Sequence, residues 1–416
     1  MPKVHYKWGD DNNKPPIIHP HSIAKHEVLR RYLTRYIQVL TANWHFSLLR
    51  LVLVDGFAGG GIYRRWDDHQ EYEGSPLIMM RAVHDATNLI NQERTKKIEI
   101  NPTFIFVEQD LGGFQSLERV LNESDIPFRQ NVTTHHGSFS DKLLEIINNI
   151  KSTRQERAIF LLDQYGYRDV PMPLIRQIFH NLPKAEVLLT FSVDVLIDYF
   201  NAERTPAVLQ QIGLERYTSK DNNPTTRKLW RKQLEIGLSE GIRVESGAFF
   251  YTPFFIRSSA CPRGYWFIHL SNHFRARDEM MRLHWAMHTH FIHHGGHGLD
   301  LLAYDPRHDP KVTGQQAFLF GDTDREQSIE QLREDIPKYI FDQVGSKGVS
   351  FEAFLHQKFN DTPAHVDMIR EVLGAAIYER DLLVRGPQGE KRHKGTAITP
   401  KDVILPNPQL KLPFIY

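Results

Sequence analysis

A glycine-rich turn directly follows an apolar run in the first quarter of the chain. The run SLLRLVLV ends at Val54, and Asp55 and residues 56–61 (GFAGGG) come next. Because glycine has no side chain, such a turn lets a ligand approach backbone N–H groups closely. The dinucleotide pattern GxGxxG is not met, since no glycine stands two residues after Gly56, and no Gly-Lys-Ser/Thr phosphate loop follows. The turn therefore indicates a site for a small polar ligand.

Polar and aromatic residues end three further apolar runs. Glu108 follows FIFV, Ser138 and Phe139 follow TTHHG, and Asp163 and Tyr165 follow AIFLL. The carboxyl ends of parallel strands share one edge of a sheet, so these groups are expected to converge on one crevice. There Glu108 would accept two ribose hydroxyls, and Ser138 and Phe139 would stand where an adenine lies. Alternatively, Glu108 and Asp163 each cap the helix that follows.

The elements that position these residues alternate along the chain. Five apolar runs between residues 47 and 193 are separated by helical stretches, which predicts a β-α-β-α order. The helices are expected to begin near Pro76, Gly112, Ser140 and Pro171. An amphipathic helix over 22–43, capped by Ser22, precedes the first strand, and a hairpin of 248–258 and 264–272 closes the sheet. We therefore predict a Rossmann-like, doubly wound α/β sheet.

The remaining sequence predicts an insertion and a second domain. Residues 194–245 form a charged, helical insertion, and residues 295–325, which carry glycines and prolines, form a connector. Three helices over 326–344, 350–359 and 362–383 and a hairpin over 382–398 then indicate a winged-helix-like α+β domain. The predicted domains are 1–294, 295–325 and 326–416.

A basic cluster marks the tip of this hairpin. It consists of Arg385, Lys391, Arg392 and Lys394. Contacts to phosphates are expected there in a winged helix. Because charged residues are common at loop tips, a solvated hairpin without a ligand is the alternative.

The strand ends resemble the S-adenosylmethionine site of class I methyltransferases, and more narrowly the chain resembles the three-Cys-motif partner protein family from about residue 20 to 290. The residues that carry this resemblance are Lys25, His26, residues 55–61, residues 74–77 (GSPL), Val107, Glu108, residues 163–166 (DQYG) and residues 270–272 (LSN). The resemblance implies an enzyme that transfers a methyl group from S-adenosylmethionine, with nucleic acid as the expected acceptor.

The resemblance also implies site residues and a partner. The implied cofactor-binding residues are Asp55, Gly56, Phe57, Ala58, Gly59, Gly61, Glu108, Ser138, Phe139 and Asp163. Asp163 and Tyr165 would be catalytic, because they stand where amino-methyltransferases carry an Asp/Asn-Pro-Pro-aromatic motif. Gln164 replaces the first proline, so the alternative is a non-catalytic nucleic-acid- or partner-binding protein that retains the fold. The implied partner protein carries three cysteines as a metal-binding centre, which this chain cannot supply with its single cysteine.

Composition excludes several classes of protein. The 416 residues include 51 Lys and Arg against 50 Asp and Glu, so no general basic field attracts nucleic acid, and any basic surface is local. Cys261 is the only cysteine, which excludes intrachain disulfides and a cysteine-rich metal site. No apolar window is long enough to span a membrane, and we expect a cytoplasmic protein. A histidine run from His284 to His297 has the spacing of helical zinc ligands, but a packed or solvated helix face is favoured, and no metal site is predicted.

Overall fold

The structure is a computed structural model, and the chain divides into two compact units, Met1–Leu283 and His284–Tyr416. The residues described are 8, 14–123, 125–153, 155–164, 167–192, 205–217, 237–258, 261–287 and 320–408. In this part of the chain no helix is long and apolar enough to cross a membrane.

The first unit is built on a seven-stranded sheet. Its strands and those of a smaller sheet are β1 (Ile17–Ile18), β2 (Leu48–Asp55), β3 (Ile62–Arg65), β4 (Glu71–Glu73), β5 (Glu99–Glu108), β6 (Val132–His136), β7 (Ala158–Leu162), β8 (Glu186–Phe191), β9 (Phe250–Ser258) and β10 (Cys261–Ser271). The large sheet has the order β6-β5-β2-β7-β8-β10-β9. The first five strands in this order are parallel, whereas β10 runs antiparallel to both β8 and β9. The predicted doubly wound sheet with a closing hairpin is confirmed.

Helices cover the sheet in the predicted alternation. They are α1 (Pro20–Thr41), α2 (Ser75–Glu93), α3 (Leu111–Glu123), α4 (Phe139–Ser152), α5 (Met172–Asn181), α6 (Thr205–Ile212) and α7 (Phe274–Ala286). The prediction of Ser22 as the first cap was wrong, because the helix begins two residues earlier, at Pro20, after His19. Proline suits the first helical position, where its fixed φ is already helical and its missing N–H is not needed.

The central strands are buried because helices lie on both faces of the sheet. Every residue of β7 and of β8 is buried, as expected for parallel strands of mostly apolar sequence, and the buried residues of β8 include Glu186 and Thr190. Alternate apolar residues of these strands (158, 160 and 162 in β7; 187, 189 and 191 in β8) form one core with the buried residues of α4 and α5. This packing holds the carboxyl ends of the central strands in a fixed arrangement.

A buried polar trio attaches α1 to the far part of the sheet. The Tyr32 hydroxyl donates to Glu186 Oε2, and His269 Nε2 lies 3.0 Å from the same oxygen. The three side chains come from α1, β8 and β10 and are all buried. Polar groups removed from water are stable only when they bond to one another, so the trio fixes the register of α1 on the sheet.

The sequence patterns did not predict the small sheet. Strands β3 and β4 lie between the glycine turn and α2 and pair in antiparallel orientation, and β3 also pairs in parallel with β1, which precedes α1. These strands have two to four residues each, which is too short for an alternating pattern to stand out. Of the predicted insertion at 194–245, only α6, the turn Glu215–Tyr217 and the helical residues 237–245 lie within the described residues.

Among its described residues, 284–287 and 320–408, the second unit contains three α-helices and a three-stranded sheet. Its helices are α8 (Asp322–Tyr339), α9 (Phe351–Lys358) and α10 (Val366–Tyr378), and its strands are β11 (Val349–Ser350), β12 (Leu382–Arg385) and β13 (Val403–Pro406). The sheet order is β11-β13-β12. Helix α8 begins at Asp322, inside the predicted connector, most of which lies outside the described residues.

The predicted hairpin over 382–398 was wrong in its second strand. The antiparallel partner of β12 is β13, and the only pairing within the predicted hairpin is one bridge between Arg385 and Lys391. Residues 403–405 (VIL) are apolar and partly β-branched, which suits a half-buried strand, whereas residues 391–395 (KRHKG) are basic and glycine-containing. Residues 386–402 therefore form a long loop between the two strands, which we call the wing.

Candidate functional site

Three acidic side chains lie at the carboxyl ends of three neighbouring strands. Asp55 ends β2, Glu108 ends β5, and Asp163 directly follows β7. Strand β2 pairs with β5 on one side and β7 on the other, so the three residues share the central part of one sheet edge. The predicted convergence of these strand ends is therefore present in the structure.

Asp55 is fully buried at the centre of this edge. Its Oδ1 accepts a hydrogen bond of 3.0 Å from the Phe57 N–H, and its Oδ2 has no hydrogen-bond partner among the described residues. Burial raises the pKa of Asp55 to about 7, against the opposing effects of the Ser75 side chain and the Phe57 N–H; Asp163 and Glu108 raise it further. Asp55 is thus a proton-binding group within the physiological range.

Glu108 binds the glycine turn directly. Its Oε2 accepts from the Gly59 N–H at 2.7 Å, and its Oε1 accepts from the Asp110 N–H at 2.7 Å. Burial raises the pKa of Glu108, although both N–H groups act in the other direction. The alternative in which Glu108 caps the next helix is not met, because Asp110 accepts from the Gly113 N–H and takes that role. Each carboxylate oxygen retains a lone pair for a further donor.

Asp163 is held by a lysine of α1. Lys25 Nζ lies 2.5 Å from Oδ1 and 2.7 Å from Oδ2, and both side chains are mostly buried. Desolvation alone would raise the pKa of Asp163, but the ammonium of Lys25 outweighs it, and the pKa is lowered. Asp163 is therefore paired with the Lys25 ammonium and does not cap a helix.

Two neighbours of this ion pair have unsatisfied polar atoms. His26, next to Lys25 on α1, is buried and stacks on Tyr72, and its Nδ1 has no partner among the described residues. Burial lowers the pKa of His26 to about 4, so the ring is neutral at pH 7. Gln164 is also buried; its Oε1 accepts from the Val170 N–H, and its Nε2 is unpaired within the described part of the chain.

These unpaired atoms are a physical test of whether the edge suits a polar ligand. Asp55 Oδ2 accepts a hydrogen bond when the carboxyl is ionised and can donate one when it is protonated. Gln164 Nε2 is a donor. His26 Nδ1 is a donor or an acceptor, depending on the tautomer of the ring. Buried polar groups are normally paired, and unpaired ones indicate a missing partner such as a ligand. Together with the open lone pairs of Glu108, they fit a ligand that carries hydroxyl, amine and carboxylate groups, as S-adenosylmethionine does.

The glycines of the turn serve different purposes. A Cβ at Gly56 would lie 2.8 Å from both Leu162 and Phe139, so this glycine is required by core packing. Gly59 has a φ of +64°, which favours glycine, and it presents its N–H to Glu108. A Cβ at Gly59 would also lie 2.4 Å from the Tyr63 hydroxyl, so side chains of this protein fill the space beside it.

The predicted adenine neighbours have structural roles at the start of α4. Ser138 caps the helix by accepting from the Asp141 N–H. The ring of Phe139 is 2% exposed and packs against Phe57 and Phe160 in the core. This burial does not fit an adenine platform at Phe139. Tyr165, the second predicted catalytic residue, lies outside the described residues.

The basic residues of the second unit divide into two groups. Arg392 donates to both carboxylate oxygens of buried Asp402, at 2.7 and 2.9 Å, and also to Glu390. Its guanidinium therefore ties residues 390 and 402 of the wing together through Nε and Nη2. Arg385, Lys391 and Lys394 are exposed.

Several residues that complete the site at the strand ends could not be assigned a role from the sequence pattern. Lys25 and His26 entered only through the family resemblance, and their helix gave no sign of facing Asp163. Ser75, which affects the pKa of Asp55, stands at the start of α2 within the GSPL segment. Of the histidine run, only His284 is described, and no group of three or more metal-binding side chains occurs among the described residues.

Comparisons with known proteins identify one family model and several solved structures of low similarity. A family model described as a GMT-like wHTH domain, a winged helix-turn-helix, matches residues 303–389. No curated protein sequence matches the chain. Among solved structures, Trm1 from Pyrococcus horikoshii in complex with S-adenosyl-L-methionine is 11% identical, with 97% of this chain and 96% of that chain covered and a TM-score of 0.32.

A second similar structure is protein LPL1258 from Legionella pneumophila, which is 13% identical, with 66% of this chain and 94% of that chain covered and a TM-score of 0.37. These scores are too low to bear on function or on individual residues. The strand order and orientation of the central sheet, with helices on both faces, are those of a Rossmann-like doubly wound sheet, and the C-terminal match is to a winged helix, so the predicted fold class is confirmed.

Proposed function

We propose that this protein is an S-adenosylmethionine-dependent methyltransferase. The observation that carries the proposal is the strand-end site, where Asp55, Glu108 and Asp163 meet beside a glycine turn and leave buried polar atoms unpaired. A crevice at the carboxyl edge of a doubly wound sheet is where such folds bind ligands. The wall is acidic, which suits a cationic, hydroxyl-rich molecule better than a bare phosphate.

The residues of the site divide the binding between them. Glu108 is positioned to accept the ribose hydroxyls, because both of its oxygens are oriented by backbone N–H groups and keep free lone pairs. Asp55 and residues 56–61 contact the amino-acid part. When bound, the cofactor supplies an activated methyl group on a sulfonium, and transfer needs in-line positioning of the acceptor more than a strong base.

Asp163 is proposed to orient the acceptor, and Tyr165, two residues later in the sequence, is the second proposed catalytic residue. The ion pair with Lys25 means that Asp163 stays ionised and that an amine acceptor would share its carboxylate with, or displace, the lysine ammonium. Lys25 thus acts as a positioning residue that fixes the carboxylate until the acceptor arrives.

Nucleic acid is the proposed acceptor, and a three-cysteine protein is the proposed partner. The winged-helix unit supports nucleic acid as the acceptor, because Lys391 and Lys394 in the wing and Arg385 directly before it are exposed and positively charged. The partner rests on the family resemblance and on the single cysteine of this chain.

A non-catalytic binding protein with the same fold is the second candidate. Two observations favour it: Lys25 neutralises Asp163, and Gln164 occupies the position of the first proline of the amino-methyltransferase motif. Such a protein would bind the cofactor or nucleic acid without transferring a methyl group.

Calorimetry with S-adenosylmethionine and S-adenosylhomocysteine, with ATP and NAD as controls, tests the cofactor. Saturable binding of the first two alone is expected, and no binding to folded protein would contradict the proposal. Methyl transfer is tested next, with cofactor labelled on its methyl group and mixed DNA and RNA as acceptors. Binding without any transfer would favour the second candidate.

A further inference from the structure

Trp8 packs against four glycines, three of which border its side chain. A Cβ at Gly60 would stand 2.2 Å from the indole nitrogen, and one at Gly59 would stand 3.2 Å from Cη2. On the other side, a Cβ at Gly113 would stand 3.3 Å from Cε3, and one at Gly112 would stand 2.6 Å from the Trp8 carbonyl oxygen. The ring thus occupies space that a side chain at Gly59, Gly60 or Gly113 would fill, and the Trp8 backbone does so at Gly112.

Trp8 is anchored to the residues that follow the glycine turn. Its Nε1 donates to the Ile62 carbonyl at 3.3 Å, and its ring meets Tyr63 edge-on at 5.5 Å between centroids. An edge-to-face aromatic pair and a satisfied indole N–H are typical of a tryptophan with a defined position. The contact is therefore specific to this turn.

The Trp8 ring lies next to the Glu108 side chain, but its indole N–H donates to the Ile62 carbonyl and not to the Glu108 carboxylate. A Cβ at Gly113 would lie 3.2 Å from Glu108 Cγ as well as close to the indole, so both side chains adjoin that glycine. Gly59 likewise contacts both, through its N–H to Glu108 and its Cα side to Trp8. The hydrogen bonds of Glu108 come from backbone N–H groups and not from the indole.

We propose that Trp8 forms one wall of the cofactor site and covers the ribose bound to Glu108. The inference rests on the proposed function. An aromatic wall excludes water from one side of the carboxylate, which strengthens hydrogen bonds from the ribose hydroxyls. Because Trp8 leaves the acceptor atoms of Glu108 open, it encloses the ligand and does not compete with it.

The test compares full-length Trp8→Ala and Trp8→Phe with the wild type in titrations with S-adenosylhomocysteine. Trp8→Ala is expected to raise Kd about tenfold and to speed ligand release, and Trp8→Phe, which keeps an aromatic plane, is expected to have a smaller effect. Trp44→Ala is the matched control, since Trp44 is exposed and precedes the opposite end of β2. It should bind like the wild type.

Three results would overturn the inference, and they are distinguishable. An unchanged Kd and release rate in Trp8→Ala would make the tryptophan a purely structural contact. A lower Kd would make it a competitor of the ligand. Absence of binding in the wild type would reject the proposed function and this inference together. Thermal unfolding of each variant, compared with the wild type, confirms that the titrated protein is folded.

Discussion

The strand-end site and the wing use charge in opposite ways. At the sheet edge Asp55 is fully buried, and Lys25 and Asp163 are bound to each other with little exposure. On the wing Lys391 and Lys394 are exposed to water. Buried charges interact strongly with a few neighbours, whereas exposed charges are screened and act together. Single substitutions should therefore disturb the first site, and only combined substitutions should disturb the second.

The largest effect is expected from Lys25→Met, which leaves Asp163 unpaired in a mostly buried position. Removing one partner of such a pair costs about 3 kcal/mol of unfolding free energy, and adding Asp163→Asn should recover part of that loss. Arg31→Met, on the same helix, removes an exposed pair with Glu27 and should cost about 0.5 kcal/mol or less. Chemical denaturation gives the unfolding free energy of the wild type, the two single variants and the double variant. Equal losses in Lys25→Met and Arg31→Met would contradict the stronger coupling expected for the buried pair.

Glu108→Ala is expected to have the second-largest effect, which is on the affinity for S-adenosylhomocysteine. Loss of charged hydrogen bonds to two ribose hydroxyls is expected to weaken S-adenosylhomocysteine binding about 100-fold. Glu99→Ala is the control, because Glu99 is exposed at the other end of the same strand. Calorimetry on folded protein checks both, and unchanged affinity in Glu108→Ala would remove the site from this strand end.

Asp55 should make stability depend on pH. Its pKa is about 7 in the folded protein and about 4 in the unfolded chain, so the folded state holds the proton more tightly. Its contribution to stability is present at low pH and is lost as pH rises from about 4 through 7. Asp55→Asn should therefore be more stable relative to the wild type at pH 8 than at pH 5, by about 1 kcal/mol or more. Urea unfolding at the two pH values measures this difference, and a constant difference would refute the assigned pKa.

The smallest effect per residue is expected on the wing. Replacing Arg385, Lys391 and Lys394 together by Ala should weaken nucleic-acid binding several-fold and reduce the slope of log K against log salt by up to about 3. Replacing Arg333, Lys338 and Lys347 removes the same charge from exposed positions on α8 and just after it. Binding curves at several salt concentrations compare the two. Equal losses would mean that net charge, and not the wing, attracts nucleic acid.

The acidic strand ends could be predicted because a parallel sheet brings them to one edge whatever its side-chain packing. Asp55, Glu108 and Asp163 needed only the strand pattern and the fold rule. Lys25 could not be assigned in this way, since its partner is 138 residues away and its helix shows only which residues are apolar. Local patterns indicate burial but not which polar side chains meet.

Other residues were misjudged because one local pattern suits two environments. A basic residue beside a loop tip predicts a phosphate contact from the sequence, but Arg392 pairs with Asp402, ten residues later. An aromatic residue after a strand reads as a ligand platform, yet Phe139 completes the core beside Gly56. Trp8 gave no signal at all, because an isolated tryptophan far from the strand pattern has no periodicity to interpret.

The strand order has a consequence for synthesis of the chain. Strand β8 is entirely buried and needs β10 on its open side, but β10 begins about 70 residues later in the sequence. At roughly 5–20 residues per second, a nascent chain carries β8 as an uncovered apolar edge for several seconds. Such edges promote association with other chains, so fragments that end before residue 261 should aggregate although they contain the whole strand-end site.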